Sequence, residues 1–202
     1  MPSQPVQTSS DRQRYSRRVI VAGIGAGILL GGGFNLRAGD ELPETDPTGE
    51  GPFYKAGAPE RADIVDKGMP GVPLLLTGSV RDSRGHPVPG AVLDLWQADM
   101  SGTYDNEGYR LRGRLQAGKD GRYKVRCLVP KAYSTGGGGM RAAHIHIKVS
   151  ASAHRLVTTE LYVKGDSHNY DDFGVRPSLQ MALADNGRDG KLGSFDFVLR
   201  HA

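Results

Sequence analysis

The sequence predicts an all-β sandwich, and three observations carry that expectation. Short runs rich in β-branched, aromatic and leucine residues recur along the body of the chain. Turn-forming residues punctuate them, and outside the first 38 residues no long apolar stripe repeats at a helical period. A chain of 202 residues is long enough for one well-packed core and short for two large domains.

Taken in order, the first strand is expected over Leu74 to Arg81, ended by the turn Asp82-Ser-Arg-Gly85. The next runs from Ala91 to Trp96 and stops at the turn Asp99 to Gly102. Tyr123 to Val129 follows the turn Asp120-Gly121, and His144 to Val149, Leu156 to Val163 and Phe195 to Leu199 complete the set. Ser178 to Ala184 is the one stretch of the body compatible with a short helix, and Asp185 to Gly190 reads as an ordinary turn rather than a calcium loop, since it lacks the alternating acidic ligands. Ahead of the first strand, Asp40 to Asp66 is rich in proline, glycine and charge (Pro43, Pro47, Gly49, Gly51, Pro52, Pro59) and reads as an extended arm. The expected organisation is a leader over 1–38, the arm over 39–77 and the sandwich over 78–202.

The leader has a layout of its own. Ser16-Arg17-Arg18 runs straight into an apolar, glycine-loaded stretch from Val19 to Phe34, closed by polar Asn35 and Arg37. That run is short for a membrane span, and the paired arginines resemble a twin-arginine export signal. The resemblance implies the twin-arginine export machinery as a partner and a periplasmic or extracellular location, or membrane anchoring if the segment is retained. The same stretch imitates a dinucleotide-binding turn, but after Gly23 and Gly25 the third glycine position holds Ile28, and no strand–helix alternation follows.

Charge and cysteine content remove further classes. The formal charge is +4, with 26 basic and 22 acidic residues. Residues 1–38 hold Arg12, Arg14, Arg17, Arg18 and Arg37 against Asp11, so 21 of each sign remain. A neutral body without interleaved basic and aromatic residues argues against nucleic acid. Cys127 is the single cysteine, so no intramolecular disulfide, cysteine-rich zinc site or iron–sulfur centre can form; its strand setting predicts a buried, inert thiol.

The chemistry sits in Tyr133-Ser-Thr-Gly-Gly-Gly-Gly-Met-Arg141-Ala-Ala-His144-Ile-His146. Alternate side chains of a strand project to one side, so His144 and His146 converge while Ile145, Ile147 and Val149 face a core. Paired imidazoles point to a metal, and phenolate oxygens from Tyr104 and Tyr133 favour a strongly Lewis-acidic ion such as ferric iron, Fe(III). A His-x-His pair alone is usually a solvated strand face, Tyr104 and Tyr133 alone are turn or edge tyrosines, and Arg141 alone is a surface ion-pair partner. Trp96 reads as packing, and Tyr54 and Tyr162 as either pocket wall or structural. His86, His154, His168 and His201 read as surface or turn residues.

Two subsegments, Gly78 to Val92 and then Asp120 to Val125 with Val129 to Tyr133, resemble transthyretin-like modules, which implies a Greek-key sandwich and leaves open a non-catalytic binding module. The ordered set Gly49-Glu-Gly-Pro-Phe-Tyr54, Leu95-Trp96-Gln-Ala-Asp99, Gly102-Thr-Tyr104-Asp105, Leu111-Arg112-Gly-Arg114, Pro130-Lys-Ala-Tyr133, Arg141-Ala-Ala-His144-Ile-His146 and Leu161-Tyr162-Val-Lys-Gly-Asp166 is more specific. It resembles the intradiol ring-cleaving catechol dioxygenases. The resemblance implies an Fe(III) centre held by Tyr104, Tyr133, His144 and His146. Tyr104 would stay bound, Tyr133 would be displaced by substrate, and Arg141 would face the bound ring. It also implies cleavage of a catechol by dioxygen between its two hydroxylated carbons, giving a cis,cis-muconate-type diacid. The small-molecule partners would be a catechol and dioxygen, with homo-oligomer assembly left open. Ala142 stands where proline is common in that family, and the Gly136 to Gly139 run is unusually glycine-rich for a loop that must place Tyr133.

Overall fold

In the computed structural model, which describes residues 41–202, twelve strands follow one another. They are β1 (Pro73–Asp82), β2 (Val92–Trp96), β3 (Arg112–Gln116), β4 (Arg122–Leu128), β5 (Tyr133–Ser134), β6 (Met140–Arg141), β7 (His144–Ser150), β8 (Val157–Val163), β9 (Gln180–Met181), β10 (Leu183–Asp185), β11 (Lys191–Ser194) and β12 (Phe197–Leu199). No α-helix occurs among the described residues, only three short 3-10 turns. The expected all-β class is what the chain adopts. The leader expected over 1–38 lies outside the described residues.

Two five-stranded sheets share one core. In one, β1 pairs antiparallel with β4 along one edge and parallel with β11 and then β12 along the other, and β10 flanks β11. The second has the order β3-β2-β7-β8-β9. Period-two alternation decides which side chains meet: Leu74, Leu76 and Val80 of β1, Val125 and Cys127 of β4, Leu93 and Leu95 of β2, and Ile145, Ile147 and Val149 of β7 are all buried in that cluster. Cys127 is fully buried there, and burial pushes its thiol well above the ordinary value, which suits an inert packing residue.

β1 begins at Pro73, inside the range expected as arm, because Leu74 and Leu76 supply core side chains. The strand expected over Phe195 to Leu199 forms but starts two residues later, at Phe197, and a further strand, β11, precedes it. β11 and β12 take successive halves of β1, and the chain crosses between them at Gly78, where a Cβ would lie 1.7 Å from the Phe195 carbonyl oxygen. Only glycine permits that approach. Asp196 then ties the crossing down by accepting from the Ser79 N–H at 2.7 Å.

The helix judged compatible with Ser178 to Ala184 does not form. Pro177–Leu179 is a single 3-10 turn, and Gln180–Met181 pairs in parallel with Tyr162 and Val163. Tertiary pairing at the edge of β8 outweighs a weak local helical preference. Pro43 to Val72 is irregular, with turns at Pro52–Phe53 and Lys67–Gly68 and isolated bridges Glu60 to Arg114 and Asp63 to Arg126 in place of a regular strand. Its backbone hydrogen bonds run to both sheets, Thr45 N–H to Val198 and Thr48 N–H to Thr158.

A candidate metal centre on strand β7

Three neighbouring strands place a row of side chains on one face. β7 carries His144 and His146; Trp96 of β2 stands opposite His146 on one side, and Glu160 of β8 opposite it on the other, while Tyr162 stands opposite His144. Because Ile145, Ile147 and Val149 take the alternate positions, the core draws them inward and leaves both imidazoles on the other face. The connections above that face add the rest. Tyr104 comes from the segment between β2 and β3, Tyr133 from β5 and Arg141 from β6.

Tyr133 and Arg141 are direct cross-strand partners, with Ser134 opposite Met140. That two-residue ladder places Tyr133, so the glycine run beyond it serves as a hairpin tip, closed by the Thr135 N–H donating to the Gly139 carbonyl at 3.0 Å. Gly136 and Gly138 hold φ of 79° and 86°, the left-handed region that glycine enters at little cost.

Four donor atoms gather. Tyr104 Oη lies 3.3 Å from His144 Nε2 and 3.1 Å from His146 Nε2, the two Nε2 atoms are 3.2 Å apart, and the Tyr133 hydroxyl donates to Tyr104 Oη at 3.4 Å. Ligands about 2.1 Å from one ion and about 90 to 110° apart stand roughly 3.0 to 3.4 Å from each other, so this spacing suits a shared cation. The proton inventory agrees. His144 Nδ1 lies 2.6 Å from the Ala142 carbonyl, which can only accept, so Nδ1 carries the proton and Nε2 offers its lone pair. Burial holds the proton affinity of His144 below the ordinary value; His146 is pushed further down by burial and by the nearby charges of His144, Arg141 and Arg112.

The phenols show the complementary trend. Burial, then the neighbouring Tyr133, raises Tyr104 far above the usual tyrosine range, and burial raises Tyr133 as well, opposed by Tyr104 and Arg141. Protein groups alone keep both phenols protonated. Facing lone pairs and buried phenols are what a strongly Lewis-acidic ion would bind.

An aromatic wall fixes the ring planes. Phe53 from the arm stacks on Tyr104 (centroids 4.5 Å, 11° apart), and Trp96 stacks on His146 (4.8 Å, 5°). Trp96 is therefore packing, as expected, but against the His146 ring rather than in the shared core. Tyr54 tilts on Trp96 and donates to Asp94 at 3.1 Å; burial and that carboxylate push its phenol to about 12. Tyr162 is buried, tilts on His144 and donates to Glu160. Of the remaining histidines, His86 rests on Asp82, and His154 packs against His201, apart from this centre.

Arg141 is paired, and within the site. Its Nε donates to Asp172 at 2.8 Å, and one terminal nitrogen donates to Glu160 at 2.8 Å and to the Tyr162 hydroxyl at 3.2 Å. Burial alone would lower its proton affinity; the bonds and charges of Glu160 and Asp172 outweigh that and raise it. Phe173 lies over the guanidinium, 5.2 Å from its ring centroid.

Glu160 and Asp172 belong to none of the sequence motifs above. Glu160 had a visible signal, a lone carboxylate in the apolar strand Val157-Thr-Thr-Glu160-Leu-Tyr-Val; Asp172, in an irregular loop, had none. His144, His146 and Glu160 are the one group of three metal-capable histidines and acids among the described residues, with ligand atoms within 4.8 Å of one another.

Comparison with known proteins agrees on one group of relatives. A family model described as Dioxygenase matches residues 49–201. The chain is 38% identical to a 6-chlorohydroxyquinol 1,2-dioxygenase of Cupriavidus pinatubonensis, over 79% of this chain and 66% of that protein. It is 35% identical to a catechol 1,2-dioxygenase of a Pseudomonas species, over 68% of this chain and 53% of the other. The chain thus spans between about half and two thirds of the length of these relatives. Among solved structures, it resembles the dioxygenase domain of a dioxygenase–carbohydrate-binding fusion from a Streptomyces species, with a TM-score of 0.73 and 38% identity over 79% of this chain and 100% of that one. Against the hydroxyquinol 1,2-dioxygenase of Pseudomonas putida the TM-score is 0.72, with 30% identity over 79% of this chain and 67% of the other.

Proposed function

The chain belongs to the intradiol ring-cleavage dioxygenase family, and on that footing we propose that it is a non-haem ferric enzyme that opens the ring of a catechol or substituted catechol with dioxygen, yielding a cis,cis-muconate-type diacid. The observation that carries the reading is the convergence of Tyr104 Oη and both histidine Nε2 atoms at 3.1 to 3.3 Å, with the Tyr133 hydroxyl 3.4 Å from Tyr104. Tyr104, Tyr133, His144 and His146 would hold the ion. When bound, ferric iron supplies the Lewis acidity that keeps phenols and a chelating catechol deprotonated, and the redox capacity that brings dioxygen into reaction with the ring.

The chain's own residues divide the remaining work. Tyr104 is 5% exposed and clamped by Phe53, so it is the fixed phenol. Tyr133 is partly exposed on a two-residue strand beside a glycine tip, so it is the phenol free to swing away. On leaving, Tyr133 Oη takes up one proton as substrate gives one up, and the charge of the buried site stays nearly constant. Arg141 is held at Nε and one terminal nitrogen, and its other terminal nitrogen makes no protein hydrogen bond among the described residues. A guanidinium so anchored can stabilise negative charge developing on a substrate ring without reorganising. Phe53, Trp96 and Tyr54 form the wall that keeps water from the ligand set. The N-terminal sequence alone supports a further part of the proposal, that the protein is exported through the twin-arginine route.

Iron-loaded protein tests this directly. The reading expects a red-brown tyrosinate-to-iron charge-transfer colour that changes on adding catechol, and oxygen uptake across a panel of catechol, protocatechuate, hydroxyquinol and chlorocatechols. Colourless iron-loaded protein, or no oxygen uptake with any member of the panel, overturns it.

A further inference from the structure

The two histidines of the centre are held differently at their outer nitrogens. His144 Nδ1 has the neutral Ala142 carbonyl at 2.6 Å. His146 Nδ1 is buried and has no hydrogen-bond partner among the described residues, yet Oε1 of Glu160 lies 3.4 Å away. If His146 presents Nε2 to a metal, Nδ1 must carry the ring's proton, and a buried N–H calls for an acceptor. Glu160 is placed to be that acceptor by the fold itself: it is His146's register partner across β7 and β8, and it is 4% exposed.

Its other oxygen is already engaged. Oε2 accepts from Arg141 at 2.8 Å and from the Tyr162 hydroxyl. Trp96 stacked at 5° on His146 leaves that ring little freedom to tilt, so the carboxylate is the partner that would move to complete the bond. A single buried carboxylate thus touches a ligand ring on one side and the site's arginine on the other.

We propose that Glu160 is a positioning residue of the metal centre, accepting the Nδ1–H of His146 through Oε1 while Oε2 holds Arg141. It thereby selects the tautomer that presents Nε2, makes that imidazole a more electron-rich donor, and links the placement of the ligand to that of Arg141. The inference rests on the His2Tyr2 reading above, and its test has readouts separate from turnover.

Glu160→Gln keeps the shape and one oxygen acceptor but removes the charge. Iron affinity, measured by competition with a chelator, should fall about tenfold to a hundredfold. The tyrosinate-to-iron band should move to longer wavelength, because a less electron-rich ligand set leaves the ion a stronger electron acceptor. Wild-type affinity together with an unmoved band would sink the proposal. Wild-type protein loaded with diamagnetic gallium(III) gives a second reading that does not depend on the variant folding. Nitrogen-detected NMR should find the His146 Nδ1 proton strongly deshielded and slow to exchange; a fast-exchanging or absent proton overturns the assignment. Failure of the wild-type protein to take up iron at all would count against the His2Tyr2 reading itself.

Discussion

Replacing Asp172 with asparagine should loosen the loop that anchors Arg141. The side chain is fully buried. Its Oδ2 accepts from Arg141 Nε and from the Ala142 N–H, each at 2.8 Å, and its Oδ1 accepts from the Gly174 N–H at 2.8 Å. Asparagine offers one oxygen. Set at the Oδ2 position, that oxygen keeps two bonds but loses their charge assistance, about 1 kcal/mol each, and its amide then faces the Gly174 N–H, orphaning a buried donor at about 1 to 3 kcal/mol. Arg141 retains Glu160, so the expected loss lies near the lower end, about 3 kcal/mol. Urea denaturation of the metal-free protein at pH 7, followed by circular dichroism, measures it. The pH dependence supplies a second check. Burial alone would raise the Asp172 carboxyl, but the bonds from Arg141, Gly174 and Ala142 hold it below the ordinary 3.8. A carboxyl depressed in the folded state contributes stability above its unfolded value and loses it as pH falls through the lower folded one. The gap between wild type and Asp172→Asn should hold from pH 7 to about 5 and close below about 4. A gap under about 1 kcal/mol at pH 7, or one that persists unchanged into acid, refutes the reasoning.

Three other outcomes follow from the site. Tyr133→Phe should keep most of its iron while turnover drops about a hundredfold or more, whereas His146→Ala should lose the metal; iron analysis beside oxygen-uptake rates separates them, and equal iron loss contradicts the assigned roles. Gly102→Ala should cost about 1 to 2 kcal/mol for its left-handed backbone, since φ is 81°, and its Cβ would stand 2.5 Å from Tyr133 Cβ and push that side chain aside. Charge-transfer intensity and turnover should both fall, and an unchanged spectrum would show that Tyr133 is not placed by this contact. The metal-free protein should weaken as pH drops below the ordinary histidine value of 6.5, because His144 and His146 are buried with depressed proton affinity and the unfolded chain takes up their protons first. The slope is bounded at about 2.7 kcal/mol per pH unit for two protons. A flat stability profile from pH 8 to 5 would contradict this.

The histidine row was legible because it is local. The alternation His144-Ile-His146-Ile147 assigns faces to side chains with no knowledge of what lies across the sheet, and the strong strands announced themselves through β-branched and aromatic runs. Where a strand owes its pairing to neighbours, that signal disappears. Arg112 to Gln116 pairs with β2 without a β-branched residue, and β9, β10 and β11 are two to four residues long and are held by edges already built. The short helix with which Ser178 to Ala184 is compatible does not form for the same reason.

Sequence alone determined the all-β class, the paired histidines, the two tyrosines and the arginine, because each follows from strand periodicity or from an ordered motif. Tertiary structure decided what surrounds them. Strand register set Glu160 beside His146, the arm laid Phe53 on Tyr104, and a loop 31 residues beyond Arg141 returned Asp172 to its guanidinium. Such contacts join residues far apart along the chain, and their positions depend on register and loop closure, which no local pattern encodes.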